Sequence, residues 1–212
     1  MGRGRLIALE GIDGSGKTTQ ARLLADAARD PTSVTVTAEP GATPLGARLR
    51  TLLLDPALPP VSGRTEALLL AADRAEHVAT VVAPALAAGR WVVTDRFSGS
   101  TLAYQGHGRG LEIDELRRLV LWATGGIEPD LSILVDVVPA EARRRRGAAG
   151  ADRLEALGED FHDRVRRGYL ALAAEDPAHW VVIDGMGSVA DVADRLQRAV
   201  IERLGPLPGA IP

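Results

Sequence analysis

The sequence predicts an α/β fold in which five parallel strands form one sheet with helices on both faces. Three observations predict it. Short apolar runs recur along the chain, and each is followed by a stretch whose apolar residues repeat at helical spacing. Strands alternating with helices in this way form a parallel sheet whose faces are both covered. Hydrophobic residues make up 46% of the 212 residues but aromatics only 3%, so a large core must be filled by Leu, Val and Ala. This length suits one domain, residues 1–212, with no repeat and no long linker.

The elements follow in order. Leu6 to Leu9 is an apolar run of strand length, and Ala21, Leu24, Ala25 and Ala28 mark a helix over Thr19–Ala28. Val34 to Thr37 is β-branched and predicts the second strand, followed by a turn at Glu39-Pro40-Gly41. Leu45, Leu49 and Leu52 to Leu54 predict a helix ending near Asp55-Pro56, with a proline-rich loop over Ala57–Gly63. Thr65–Ala87 predicts a long helix, interrupted near Pro84 and ended by Gly89. Trp91 to Thr94 is the third strand, ending in Asp95-Arg96. Ser98–Tyr104 reads as helical and Gly106–Gly110 as a glycine-rich break. Ile113, Leu116, Leu119, Val120 and Ala123 mark another helix. Leu131–Val135 is the fourth strand, closed by Asp136. Pro139 opens a helix into Arg143–Arg146, which Gly147–Gly150 interrupts. Phe161, Val165, Tyr169 and Leu172 share a helical face, and Trp180–Ile183 is the fifth strand. Val189 to Leu204 carries the apolar stripe of a final helix, and a proline-rich tail follows Gly205.

Gly11-Ile12-Asp13-Gly14-Ser15-Gly16-Lys17-Thr18 sits between the first strand and the first helix and matches G-x-x-x-x-G-K-[ST]. Glycines let backbone N–H groups turn inward as an anion nest, and the helix N-terminus adds partial positive charge. Lys17 can bridge β- and γ-phosphates, and the Thr18 hydroxyl is placed to ligate Mg²⁺. This context predicts the P-loop NTPase fold. Lys17 is the only lysine among 25 Lys+Arg residues. An ammonium and a guanidinium are not interchangeable in a tight phosphate loop, and the lone lysine stands where that matters most. Active groups of such sheets gather beyond the carboxyl ends of the strands, which here carry the P-loop, Glu39, Asp95-Arg96, Asp136 and Asp184. Asp95 is the second candidate for Mg²⁺, directly or through water.

A net charge of −3 argues against a general nucleic-acid binder. The absence of cysteine excludes disulfides, thiolate zinc sites and cysteine nucleophiles. No apolar run approaches the length of a membrane span, and the N-terminus leaves no room for a signal peptide, so a soluble, cytoplasmic protein with no membrane partner is expected.

Four blocks resemble the thymidylate kinase family. They are Ile7 through Thr19, then Glu39-Pro40-Gly41-Ala42-Thr43 leading to Leu49–Leu54, then Asp95-Arg96-Phe97 through Ser100 with Ala103-Tyr104-Gln105-Gly106 and Arg109-Gly110, and last Asp152-Arg153-Leu154-Glu155. The spacing DR-x-x-x-S-x-x-A-Y-Q-G is the most discriminating, and together the blocks span nearly the whole chain. The resemblance implies Mg²⁺-dependent, in-line transfer of phosphate from ATP to dTMP in a ternary complex, giving dTDP and ADP, and it implies a homodimer. It places the acceptor region at about 39–75 and a lid at about 139–155.

The resemblance also assigns roles. Residues Gly11, Ile12, Asp13, Gly14, Ser15, Gly16, Lys17, Thr18 and Thr19 hold the nucleotide, and Arg143 and Arg146 reach it from the lid. Arg50, Arg74 and Arg96 supply positive charge to the acceptor phosphate, a role suited to guanidinium forks. Asp13 accepts from the acceptor's 3′-hydroxyl, Tyr104 blocks a 2′-hydroxyl, and Ser100 and Gln105 meet the thymine edge. Lys17, Arg96 and a lid arginine are the catalytic set. The family's P-loop arginine is replaced here by Gly14, so the charge comes from the lid, with Arg153 the first candidate and then Arg146 or Arg143.

The chain departs from the family pattern at Ala38 (usually Arg), at Ala42 (usually Gly) and at Leu70, where a phenylalanine usually stacks on thymine. Its lid is slightly longer, with Ala148-Ala149-Gly150-Ala151 before Asp152. Two other readings stay open at this point. One is a monophosphate kinase for another deoxynucleotide. The other is a nucleotide-binding protein without transfer.

Overall fold

The computed structural model describes residues 3–28, 30–147, 153–154 and 157–208. Six residues of the anticipated lid, Ala148, Ala149, Gly150, Ala151, Asp152 and Glu155, lie outside them, as does the end of the tail.

Five parallel strands form one sheet in the order β2-β3-β1-β4-β5. They are β1 Leu6–Glu10, β2 Val34–Ala38, β3 Trp91–Asp95, β4 Leu131–Asp136 and β5 Trp180–Asp184. The central strand β1 pairs Leu6 with Val92 on one side and Ile7 with Leu131 on the other. All five residues of β1 are buried, as a strand covered on both faces requires.

Alternation along β1 divides the core. Ile7 and Leu9 face α1 (Lys17–Asp26) and α9 (Val189–Leu204), meeting Leu24, Val192, Leu196 and Val200. Leu6 and Ala8 face the other way, toward Val78, Val82, Ala85 and Leu86 beyond α3 (Gly63–His77). On that same side α8 (Glu159–Glu175) packs Phe161, Val165, Tyr169 and Leu172 against Leu134 and Tyr104. By the same alternation Glu10 points to the α3 and α8 side.

Two expectations need correction. The long helix is not broken near Pro84. It passes from α3 through a wider π-helical turn at Val78–Val82 into α4 (Ala83–Ala87). Pro84 has no N–H to continue the ladder, and the wider turn absorbs the mismatch one turn earlier. Nor does Gly106 begin a break. Helix α5 (Ser98–Thr101) runs on as a π-helical turn over Leu102–Gly108. Its glycines serve close approach, since a Cβ on Gly108 would stand 2.7 Å from the Phe161 ring and one on Gly106 2.3 Å from Ile113 Cδ1.

The other elements fall as anticipated, with α2 at Pro44–Leu54, α6 at Ile113–Ala123 and α7 at Pro139–Arg146. Helix α1 starts at Lys17, two residues earlier than the apolar spacing implied. Helix α6 turns Leu116, Val120 and Ala123 inward but leaves Leu121 and Trp122 exposed. Among the described residues no helix is long and apolar enough to cross a membrane.

Candidate active site

The P-loop leaves β1 at Glu10 and enters α1 through Gly16, whose φ of 98° opens the helix. Gly11 and Gly14 also take positive φ, as the inward-turned nest demands. Lys17 folds back over the loop, and its Nζ donates to the Ile12 carbonyl at 2.9 Å. Burial, followed by the nearby Arg96 charge, pushes its ammonium down to about 8.

Strand β3 lies beside β1 and ends at Asp95, which pairs with Leu9 in the register. That neighbourhood brings the Thr18 hydroxyl to Asp95 Oδ2 as a donor. Asp95 Oδ1 is buried and has no partner among the described residues. A hydroxyl, a carboxylate and an unsatisfied oxygen beside a phosphate nest form a hard-oxygen donor set that fits Mg²⁺, which takes few protein ligands and completes its shell with water and phosphate.

Arg96 follows with φ 75°, the only non-glycine positive φ among the described residues. Thr94 Oγ1 donates to its carbonyl and steadies this turn. The strained backbone swings the guanidinium back over β1. Nη1 donates to the Gly11 carbonyl, Ser100 Oγ and Tyr169 Oη, and Nη2 to Asp13 Oδ1 and Tyr104 Oη. Tyr104 in turn donates to Asp13 Oδ2 at 2.7 Å. Burial works to raise the Asp13 carboxyl, but the Arg96 and Lys17 charges outweigh it and hold it well below the usual range. Burial pushes the Tyr104 phenol up.

Two clefts meet here. One is lined by the P-loop from Asp13 to Thr19, by Asp95, Arg145 and Arg146, and by Gly187 to Val189. The other is lined by Leu53, Leu70, Arg74, Ser100, Tyr104, Gln105 and Leu154. Asp13, Glu39, Arg50 and Arg96 belong to both walls. Gln105 is buried, and its Oε1 has no partner among the described residues. Arg50 donates to the Pro40 carbonyl at 2.9 Å.

Arg74 is 2% exposed and spends its donors on Glu39 Oε2, Thr101 Oγ1 and the Phe97 carbonyl. Glu39 Oε1 meets His77 Nδ1 at 2.8 Å. Burial and then the Glu39 charge push the neighbouring Asp73 up to about 6. This buried network forms the floor of the second cleft.

The arginines of the anticipated lid separate. Arg146 Nη1 donates to the Asp13 carbonyl at 2.9 Å, and its Cγ lies 3.1 Å from where a Cβ on Gly14 would stand. Arg143 points away to Glu159, Arg144 grips Glu141, and Arg145 bonds Glu141 and the Gly185 carbonyl. Arg153 is not brought to the P-loop. Its Nε donates to the Leu53 carbonyl, and Nη2 lies 2.8 Å from Glu66 Oε2, which Arg109 also grips. At the other strand ends Asp136 is paired with Arg166, and Asp184 caps the Met186 N–H. Both carboxylates hold the fold, and β4 and β5 reach the site only through the segments that follow them, at Arg145, Arg146 and Gly187 to Val189.

The sequence reading missed two groups. Glu10 is fully buried and takes four hydrogen bonds, and Tyr169, assigned only to a core face, reaches Arg96, Ser100 and Glu10. The signal for Glu10 was an acid inside an apolar strand.

A nest for nucleotide phosphates that shares a wall with a second cleft is the design of a P-loop phosphotransferase with two substrates. A sequence model of the thymidylate kinase family matches residues 9–196. The thymidylate kinase of Burkholderia vietnamiensis is 47% identical over 206 residues, covering 94% of this chain and 98% of the relative. That of Desulforudis audaxviator is 50% identical over 183 residues, covering 85% and 83%. The crystal structure of thymidylate kinase from Ehrlichia chaffeensis superposes with a TM-score of 0.76 at 30% identity, covering 93% of this chain and 99% of that one. The chain belongs to the thymidylate kinase family and is a nucleoside monophosphate kinase.

Proposed function

We propose that the protein transfers the γ-phosphate of ATP to dTMP in line, within a ternary complex and with Mg²⁺, giving ADP and dTDP. The observation that carries this reading is the shared wall. Asp13, Arg50 and Arg96 face both clefts, so donor and acceptor phosphates meet over the same guanidinium groups. Transfer then needs no covalent intermediate, only positioning and charge.

The P-loop N–H groups and Lys17 hold the donor phosphates, and Thr19 continues the cradle. Thr18 and Asp95 would hold Mg²⁺, which when bound neutralises charge on the phosphate oxygens. Arg96 and Arg50 hold the acceptor phosphate, whereas Arg74, given that role by the resemblance, donates to Glu39, Thr101 and the Phe97 carbonyl and supports the cleft from beneath. Leu70, Arg74, Ser100, Tyr104 and Gln105 enclose the sugar and base, and Asp13 meets the 3′-hydroxyl. The geometry favours Arg146 over Arg153 and Arg143 for the arginine that steadies the transferring group, because it alone of the three reaches the P-loop.

Residues 39–75 serve as the acceptor region and 139–155 as the lid of one kinase domain. Exposed Leu68, Leu121 and Trp122 on α3 and α6 suit a homodimer interface. The family likeness supports a cytoplasmic enzyme.

An ADP-release assay with ATP and Mg²⁺, offering dTMP beside dUMP, dCMP, dGMP and dAMP, tests the reading. The highest kcat/KM is expected for dTMP. A better acceptor would keep the reaction and change the substrate, and no turnover with any acceptor would leave a nucleotide-binding protein.

A further inference from the structure

Glu10 is the last residue of β1 and is wholly inaccessible to solvent. Oε1 accepts from the backbone N–H groups of Phe97 and Ser100 at 3.0 and 3.1 Å. Oε2 accepts from Ser100 Oγ at 2.6 Å and Tyr169 Oη at 3.1 Å. Oε1 faces two N–H donors and nothing that accepts, whereas Oε2 faces two hydroxyls that can donate or accept. Burial pushes the Glu10 carboxyl up, and the hydrogen bonds it accepts, together with the Arg96 charge, oppose that rise. A buried anion needs a counter-charge. The cation is Arg96, one step further on, whose Nη1 donates to Ser100 Oγ and to Tyr169 Oη at 3.1 and 3.2 Å. Ser100 Oγ and Tyr169 Oη also stand 2.8 Å apart, so one hydroxyl proton lies between them and the other points to Glu10, with Arg96 donating from the far side. Arg96 is held from behind by Glu10 through two hydroxyls, and from the front by Asp13.

We propose that Glu10 and Tyr169 are positioning residues for Arg96, fixing through their shared hydroxyl relay the pose in which its guanidinium meets the acceptor phosphate. The inference rests on the proposed function. Neither residue lines either cleft, so neither touches substrate. The relay also gives Arg96 a reason to keep its left-handed backbone, because only that turn carries the side chain back to the hydroxyls.

Tyr169→Phe removes one relay oxygen and keeps the ring, which packs edge-on against Tyr104. Glu10→Gln removes the charge and replaces one acceptor oxygen of this cluster by an amide donor. Kinetics with each substrate varied in turn should show kcat/KM for dTMP falling about tenfold in Tyr169→Phe and further in Glu10→Gln, with KM for ATP unchanged. The double variant should lose less than the product of the two single losses, since Glu10 reaches Arg96 in part through the Tyr169 hydroxyl. If Glu10→Gln fails to fold, Tyr169→Phe carries the test. A Tyr169→Phe variant with wild-type kcat/KM for dTMP, even at a lower Tm, would overturn the proposal. A wild-type protein inactive on every monophosphate would sink the proposed function instead. Arg96 itself then decides: rotation of its guanidinium about Nε–Cζ, followed by nitrogen NMR, should quicken in Tyr169→Phe, and unchanged rotation would overturn the relay.

Discussion

Arg96 Nη2 stands 2.6 Å from Asp13 Oδ1, so an acid of the P-loop itself neutralises the cation in the wall that the two clefts share. Asp13→Asn keeps the size and removes the charge. It should lower kcat/KM for dTMP about ten- to a hundredfold, the scale of one lost charged hydrogen bond. KM for ATP should change little. Initial rates over both substrates check this, and an unaltered dTMP dependence would take Asp13 out of the acceptor site.

The depressed Lys17 ammonium gives a pH signature. In the free protein it loses its proton near pH 8, whereas bound phosphates would retain it. Hence kcat/KM for ATP should fall about tenfold per pH unit above pH 8 while kcat stays flat. The effect on stability has a definite sign. The unfolded chain titrates at 10.5 and the folded chain at about 8, so the unfolded state binds more protons between these values. Stability should then rise with pH across that window. Lys17→Met should flatten the rise in urea titrations and abolish transfer.

Arg146 and Arg153 should separate kinetically. Arg146→Ala removes the guanidinium beside the P-loop and should lower kcat by about a thousandfold or more with KM for dTMP nearly constant. Arg153→Ala frees Glu66 and the Leu53 carbonyl beside the acceptor cleft and should chiefly raise KM for dTMP. The reverse pattern would return Arg153 to the transfer step.

A methyl group on Gly14 would meet the Ala142 carbonyl oxygen at 2.3 Å, from a backbone with φ of 86°. Gly14→Ala should therefore cost about 1–2 kcal/mol from backbone conformation alone. It should also lift α7 from the loop, so that a lower Tm accompanies the kinetic defect of Arg146→Ala. Wild-type kcat in this variant would show that α7 need not lie on the P-loop.

Leu70 lines the second cleft, and in the proposed function it is the position from which an aromatic ring would stack on the acceptor base. Leu70→Phe should lower KM for dTMP about three- to tenfold, as one added aromatic contact allows. A raised KM would show that the cleft is already filled.

The strands and most helices were legible because their cause is local: apolar period, glycine and proline placement. The π-helical turns were not, since Val78–Val82 and Leu102–Gly108 keep helical spacing and differ only in which carbonyl each N–H finds. The P-loop, Asp95 and Arg96 were legible as motifs. What escaped depends on long-range pairing. Arg153 and Glu66 are distant in sequence, and nothing near Arg153 announces that it docks on α3. Tyr169 declared its ring through helical periodicity, but its hydroxyl acquires a role only when α8 crosses behind Ser100.

The central place of β1 bears on how the protein is made. Of the five strands the one that carries the P-loop leaves the ribosome before the others, yet its partners are Val92 and its neighbours on one side and Leu131 and its neighbours on the other. Loop closures of that span are slow and wait for the later segments to appear. Until β4 emerges, the strand beneath the phosphate nest lacks one of its two neighbours, so nucleotide is expected to stabilise late intermediates of synthesis more than early ones.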